Sequence, residues 1–329
     1  MQAFKNILYV ATPASTDHAA IERAVKLAEN NQARLTVVEV IDQMPRLTRL
    51  IDQIQVLEDF KAKAVAKYQQ RLEKLVAPWD KNKIIQTKIL IGIPFVEIIR
   101  ETLRNGHDLV IKTAESGGLM DRVFGSNDMY LLRECPCPVW LVKSESPATI
   151  HQILAAVDID EYYPPEELNT RHQLNLQILE KATSLALTEF AKLHVVHVWE
   201  AIAENTLRGA FLDMSEDKII AYIEGVQQQH TKNMNILMDE STNKLGREAL
   251  QTFKPRARLL KGHPRKVIPV FAKEIEADLV VMGTVARTGI SGFFMGNTAE
   301  TILNQLDCSV LAIKPLGFKT PITLENSGR

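Results

Sequence analysis

The stretch VMGTVARTGISGFFMGNTAE, Val281–Glu300, passes from an apolar run into Gly283, through a glycine-studded loop, to Gly296-Asn297 at the head of a helical pattern. A short apolar strand that ends in a loop and feeds a helix is the building unit of a parallel α/β sheet. The same unit occurs twice. ADLVVMG (277–283) has a counterpart 170 residues earlier in HDLVIKT (107–113), and CSVLAIK (308–314) has one 171 residues earlier in CPVWLVK (137–143). Further from the loop, RLLKGHPRKVI (258–268) answers ILIGIPFVEII (89–99), sharing Gly-x-Pro at Gly262/Pro264 and Gly92/Pro94. AKLHVVHVWE (191–200) matches ARLTVVEVID (33–42) at an offset of 158, and QILAAVD (152–158) matches NILYVAT (6–12) at 146.

Offsets that rise from 146 to 158 to 170 place two 12-residue insertions in the second repeat, around EYYPPEELNTRH (161–172) and AIAENTLRGAFLDMS (201–215). Both fall in connections, where added chain is tolerated. The expected organisation is a domain over 1–143, a linker SESPATIH over 144–151, a second domain over 152–315 and a tail over 316–329. The apolar runs are short, rich in Val, Ile and Leu, and separated by helical patterns such as DHAAIERAVKLAEN, which Ser15 or Asp17 would cap. Continuous apolar strands alternating with helices imply a sheet covered on both faces. Each repeat is therefore read as an open doubly wound, five-stranded parallel α/β sheet, Rossmann-like, of order 3-2-1-4-5.

Composition narrows the function classes. In 329 residues, 39 Lys and Arg balance 40 Asp and Glu, so no global field draws the chain to nucleic acid or an anionic membrane. The N-terminus lacks the charge and apolar pattern of a signal peptide, and no apolar stretch is long enough to span a bilayer. The expectation is a soluble cytoplasmic protein. Three cysteines, Cys135, Cys137 and Cys308, make no disulfide framework; one Pro between the first two leaves a pair that is hard to bridge, with no second pair of ligands for zinc.

Ligands of open α/β sheets bind beyond the carboxyl ends of the strands, where the strand order reverses. In the second repeat that switch point lies between the first strand, ending at Asp158, and the fourth, ending at Gly283. Asn297 reads as the N-cap of the following helix, with Glu300 completing a capping box and Ala299, Ile302, Leu303 and Leu306 forming its apolar face. The helix N-terminus suits an anion, Gly283 and Gly296 permit close backbone approach, and Arg287 reaches toward a phosphate.

The β-α pattern, the Gly-x-Pro after the third strand, the loop and the CPVWLVK-type last strand resemble the universal stress protein family, in a tandem arrangement across nearly the whole chain. Members of that family that bind ATP carry Gly-x2-Gly-x9-Gly-(Ser/Thr) in this loop and an Asp closing the first strand. The resemblance sets the Asp at Asp158 and the first and third glycines at Gly283 and Gly296; the second glycine is Ala286, and the hydroxyl position is Asn297, followed by Thr298. It implies that Asp158 accepts from ribose or another polyol, that Gly283, Ala286, Gly296, Asn297 and Thr298 donate to phosphates, and that Arg287 adds charge. The first repeat departs further, with Thr12 for the Asp, Thr113 and Ser116 for the first two glycines, and only Gly125-Ser126 kept in a loop one residue shorter. Its site is read as degenerate.

Other features are read as structural. His194 and His197, three apart on a strand, point to opposite faces and do not converge on a metal. No Gly-x-Ser-x-Gly elbow is present. The cluster Lys254, Arg256, Arg258, Lys261, Arg265 and Lys266 reads as a solvated face. The segments Met44–Val76 and Ala201–Leu245 carry more apolar surface than one helix needs; core packing accounts for most of it, and Phe211 and Leu212 are candidates for an apolar lining beside the second crevice.

The expected function is a stress-associated regulatory protein that binds ATP or another phosphorylated or acyl-bearing ligand in its second repeat and has no metal constellation. The alternatives are a slow nucleotide hydrolase or nucleotidyl transferase on the same site, and an interaction module without a ligand. An unknown regulatory protein is the expected partner. The last strands of the two repeats, PVWLVK and SVLAIK, are expected to pair within one chain as a pseudo-dimer, which would remove two exposed edges.

Overall fold

The computed structural model describes residues 4–12, 19–42, 54–80, 84–115, 124–209, 214–243, 253–289 and 292–324. They form two compact units. The first runs to Ala148 and also takes in Cys308–Lys314 and the segment from Phe318; the second comprises Thr149–Asp307 and Pro315–Gly317.

In the first unit, β1 (Asn6–Ala11), β2 (Arg34–Asp42), β3 (Gln86–Gly92), β4 (Leu109–Thr113) and β5 (Val139–Val142) lie in the order β3-β2-β1-β4-β5, and every adjacent pair is parallel. All residues of β1, β4 and β5 are buried, as expected where helices cover both faces. These helices span Ala19–Asn31, Ile54–Val76, Pro94–Asn105 and Ser126–Glu134. Ser15 and Asp17, the expected caps of the first helix, lie outside the described residues. The unit also takes in the last strand of the chain, β12 (Ser309–Ile313), which pairs antiparallel with β5 through Val310–Leu141, Leu311–Trp140 and Ala312–Val139.

The second repeat follows the same plan. Its strands β6 (Gln152–Ala156), β7 (Lys192–Trp199), β8 (Arg256–Lys261) and β9 (Leu279–Gly283) lie in the order β9-β6-β7-β8, all parallel, so the two repeats are tandem copies of one mostly parallel Rossmann-like sheet. The Gly-x-Pro signature has one cause in both. Gly92 and Gly262 adopt φ of +148° and +135°, a region closed to most side chains, while Pro94 and Pro264 occupy the first turn of the following helix, where a missing N–H costs nothing.

Three expectations change here. The glycine-studded loop is an antiparallel ribbon of β10 (Val285–Gly289) and β11 (Gly292–Met295), with a register shift between Val285 and Arg287. The next helix, Asn297–Leu303, has Gly296 as its N-cap with no side-chain capping bond, so Asn297 is its first helical residue and the capping box does not form. The apolar segments of each second connection are divided differently from the sequence reading: the described helices are Ile54–Val76, Glu204–Leu207 and Glu216–Asn243, and Phe211 and Leu212 lie outside the described residues. No described helix is long and apolar enough to cross a membrane.

Candidate functional site

Strand β6 is central in its repeat, flanked by β7 and β9, and Ala156 pairs with Met282. Asp158 and Gly283 therefore stand at the carboxyl ends of adjacent parallel strands, at the switch point. The backbone of Asp158 is clamped by one side chain: its N–H donates to Asn175 Oδ1 at 3.0 Å, and Asn175 Nδ2 donates to its carbonyl at 2.6 Å. Asn175 belongs to the helix Pro165–Glu189, and the clamp fixes where the strand ends relative to that helix.

The Asp158 carboxylate is already engaged. Its Oδ2 accepts from the Tyr163 hydroxyl at 2.8 Å and from Arg171 Nη1 at 3.1 Å, and its Oδ1 accepts from the Asp160 N–H at 3.3 Å. Arg171 also donates to Glu167 Oε2, and its guanidinium lies 3.3 Å from the centre of the Tyr163 ring. Burial and the Asp158 charge push the Tyr163 hydroxyl well above the usual phenol range, so it acts as a neutral donor. This Tyr–Asp–Arg cluster was missed in the sequence. Both Tyr163 and Arg171 come from the first insertion, EYYPPEELNTRH, whose concentration of charged and phenolic side chains beside Asp158 was the available signal.

Around the cluster lies a cavity of about 240 Å³ between the end of β6, the helix Pro165–Glu189 and the helix Glu216–Asn243, with Asp158, Asp160, Arg171, His172, Asn233 and Ile236 on its walls. Among the expected site residues whose side chains are described, Asp158 lines it, and Gly283, Gly296, Asn297 and Thr298 do not. Gly283 has a packing role. A Cβ there would come within 2.7 Å of Leu174 Cδ2, so the glycine lets the helix Pro165–Glu189 pack against the strand end. Neither Gly283 nor Gly296 has a positive φ, so neither is required by the local backbone conformation. Asn297 is exposed and Thr298 half-buried. The backbones of Ala286 and Arg287 lie in the ribbon; their side chains are outside the described ones.

Behind the cavity His197 and His230 form a buried pair. His197 Nδ1 lies 3.2 Å from the Val157 carbonyl and 3.5 Å from the Ile159 N–H, and His197 Nε2 lies 3.1 Å from His230 Nδ1. Burial holds the His197 imidazole below its ordinary pKa, against the pull of Asp158. His194 is placed differently, with its ring 6.1 Å from that of Phe271. Among the described residues no three His, Cys, Asp or Glu side chains gather as a metal site.

In the first repeat an ion pair joins the end of β4 to the helix that follows it. Lys112 Nζ donates to Asp128 Oδ1 at 2.8 Å and to Glu115 Oε1 at 3.0 Å, and the Glu115 N–H donates to Asp128 Oδ2. Lys112 and Asp128 are both buried, and a Cβ on Gly125 would strike the Glu115 side chain. The second repeat has Met282 and Ala299 at the matching positions. Thr12 is described, and Thr113 is buried at the end of β4; Ser116 lies outside the described residues.

Comparison with known proteins follows the same division. The model of the universal stress protein family matches residues 3–143 and 171–314. The chain is 31% identical over 322 residues to a universal stress protein E homolog of Haemophilus influenzae, covering 95% of this chain and 98% of that protein. It is 29% identical over 334 residues to universal stress protein E of Escherichia coli K12, covering 99% of each. Among solved structures, a universal stress protein of Archaeoglobus fulgidus superposes with a TM-score of 0.60 at 15% identity, covering 94% of this chain and 98% of that one; it speaks to the fold alone.

Proposed function

On the premise that the chain belongs to the universal stress protein family, with two tandem copies of its domain, we propose that it is a stress-associated ligand-binding protein whose second repeat holds the ligand. The ligand is phosphorylated or acyl-bearing, and binding, not turnover, is the activity. The observation that supports this most directly is the Asp158–Tyr163–Arg171 cluster on the wall of a cavity at the switch point. A carboxylate and a guanidinium paired at an otherwise accessible crevice can exchange partners: an anionic head group takes Arg171, and a hydroxyl takes Asp158.

ATP itself fits these residues poorly. The cavity, at about 240 Å³, is smaller than the roughly 300–1,000 Å³ of ordinary small-molecule sites, and the Asp158 oxygens already have donors. Ala286 and Asn297 replace the glycine and hydroxyl of the family's ATP pattern. A phosphorylated head group smaller than a nucleoside triphosphate is the better match. The hydrolase or transferase alternative would need a general base beside an attacking water, and the cluster supplies a carboxylate already neutralised by a cation. The reading also includes the intrachain pseudo-dimer, which the antiparallel pairing of β5 with β12 supports.

Calorimetric titration with ATP and displacement of a fluorescent fatty-acid probe test the proposal. ATP is expected to bind no more tightly than the micromolar range, and the probe to bind and to be weakened by Arg171→Gln. Submicromolar ATP without probe binding would restore an ordinary nucleotide site.

A further inference from the structure

The first unit contains a second, differently built cavity, at the opposite ends of the strands. It measures about 430 Å³, and its walls are polar throughout: Arg34 and Thr36 from β2, Lys88 from β3, Glu101 and Asn105 from the helix Pro94–Asn105, and His107 from the turn before β4. His107 is only 5% exposed, and neither ring nitrogen has a hydrogen-bond partner among the described residues. The nearby Asn6 carbonyl already accepts the Asp108 N–H at 2.9 Å. A buried imidazole without partners carries a desolvation cost that folding alone does not recover.

The fold does not demand these groups. The internal repeat supplies the comparison, because Phe271 and Ala277 stand at the positions of Glu101 and His107 in the second copy of the same sheet. Arg34 and Lys88 have Lys192 and Arg258 at the matching positions, so Glu101, Asn105 and His107 are what set the first repeat apart.

Its charge is positive. Lys88 Nζ donates to Glu101 Oε2 at 2.6 Å and Asn105 Nδ2 to Glu101 Oε1 at 2.7 Å, so both oxygens of the one lining carboxylate are occupied. The Asp108 carboxylate is turned to the Lys5 and Asn6 N–H groups. Arg34 makes no ion pair among the described residues. An unpaired guanidinium, an ammonium with further protons and a partnerless buried imidazole N–H converge on one space. We propose that this cavity binds a small oxyanion of the phosphate type, with Arg34, Lys88 and His107 as its donors. A guanidinium fork and an ammonium suit tetrahedral oxygens, and the anion supplies the missing partner of His107.

Proton linkage gives the site a signature. Burial, with a small addition from Arg34, holds the free imidazole below its ordinary pKa, while Glu101, the neighbouring Asn6 backbone and Asp108 pull the other way. A bound anion favours the imidazolium, so binding takes up a proton and tightens as pH falls.

The test is calorimetric titration of the full chain with sulfate, which does not titrate near neutrality, and with inorganic phosphate and glycerol 3-phosphate. Saturable binding is expected in an Arg171→Gln background, which removes the anion donor of the second repeat, and it should be at least tenfold weaker when Arg34→Gln, at an exposed position, is added. Sulfate should bind more tightly at pH 6 than at pH 8 in the wild type and without pH dependence in His107→Gln. Whichever of the two phosphates binds more tightly identifies a free or an organic source, and either outcome supports the site. Absence of saturable binding by all three probes, insensitivity to Arg34→Gln, or a wild-type pH profile identical to that of His107→Gln would overturn the proposal.

Discussion

At Gly283 a single hydrogen replaces the side chain that would strike Leu174, and the consequence is measurable. A Cβ placed 2.7 Å from Leu174 Cδ2 forces either the leucine or the strand end to move. Gly283→Val should cost about 1–3 kcal/mol, the usual range for overpacking, and Leu174→Ala should recover much of it. A double-mutant cycle in urea checks this; additive costs would show that the glycine acts through something other than that contact. Asp158 makes the converse point. The sequence placed it at the switch point because strand order and strand end were both readable, but the donors that hold it, Tyr163 and Arg171, sit in an insertion without a counterpart in the first repeat. Pattern matching between repeats cannot align what only one repeat has. Asp158→Asn keeps the shape and removes the charge, so Arg171 loses its partner and is free for a ligand anion. The variant should bind an anionic ligand at least as well as the wild type, while Arg171→Gln should lose it; equal loss in both would make the carboxylate itself the acceptor.

Among the elements, the strand-to-helix connections carry the difference between the repeats. The first joins β4 to the following helix through Lys112 and Asp128, where the second has Met282 and Ala299. Removing one member of a buried ion pair leaves an uncompensated charge and costs about 3–5 kcal/mol, whereas replacing both with apolar groups is often near neutral. Lys112→Met and Asp128→Ala should each destabilise strongly, and the double variant, which copies the second repeat, should recover most of the loss in denaturant unfolding. A double variant as unstable as the sum of the singles would contradict this, placing the cost in the Glu115 N–H that Asp128 also accepts. The existence of these elements was legible because apolar runs and Gly-x-Pro signatures repeat. Their contents were less so. The loop after β9 became a ribbon because an antiparallel pairing of Val285–Gly289 with Gly292–Met295 satisfies backbone groups that a glycine-rich reading assigned to a ligand. The helix begins at Gly296 rather than at a side-chain cap, a one-residue difference that propensity does not resolve.

For the whole molecule, duplication explains the legibility of the fold. Two copies of one sheet constrain each other's reading, so repeated patterns alone located the strands, while the polar cavity lined by His107 escaped because nothing in a strand pattern marks a histidine as partnerless. Stability should report the buried histidines. His107, His194 and His197 are all held below the ordinary imidazole value, with burial the largest cause in each. Below about pH 6.5 the unfolded chain takes up protons that the folded one refuses, so their contribution is present above that value and is lost as pH falls toward the folded pKa values. The thermal midpoint should drop between pH 7.5 and pH 5, with a shallower drop in a His107→Gln/His194→Gln variant; equal slopes would assign the acid sensitivity to other groups. On the proposed function, the second repeat holds a small ligand through Asp158 and Arg171. Mass spectrometry of small molecules released from the purified full chain addresses it most directly. The account predicts a phosphorylated or acyl-bearing compound present in the wild type and in Thr12→Ala and missing from Arg171→Gln, and a compound lost with Thr12→Ala but kept with Arg171→Gln would contradict it.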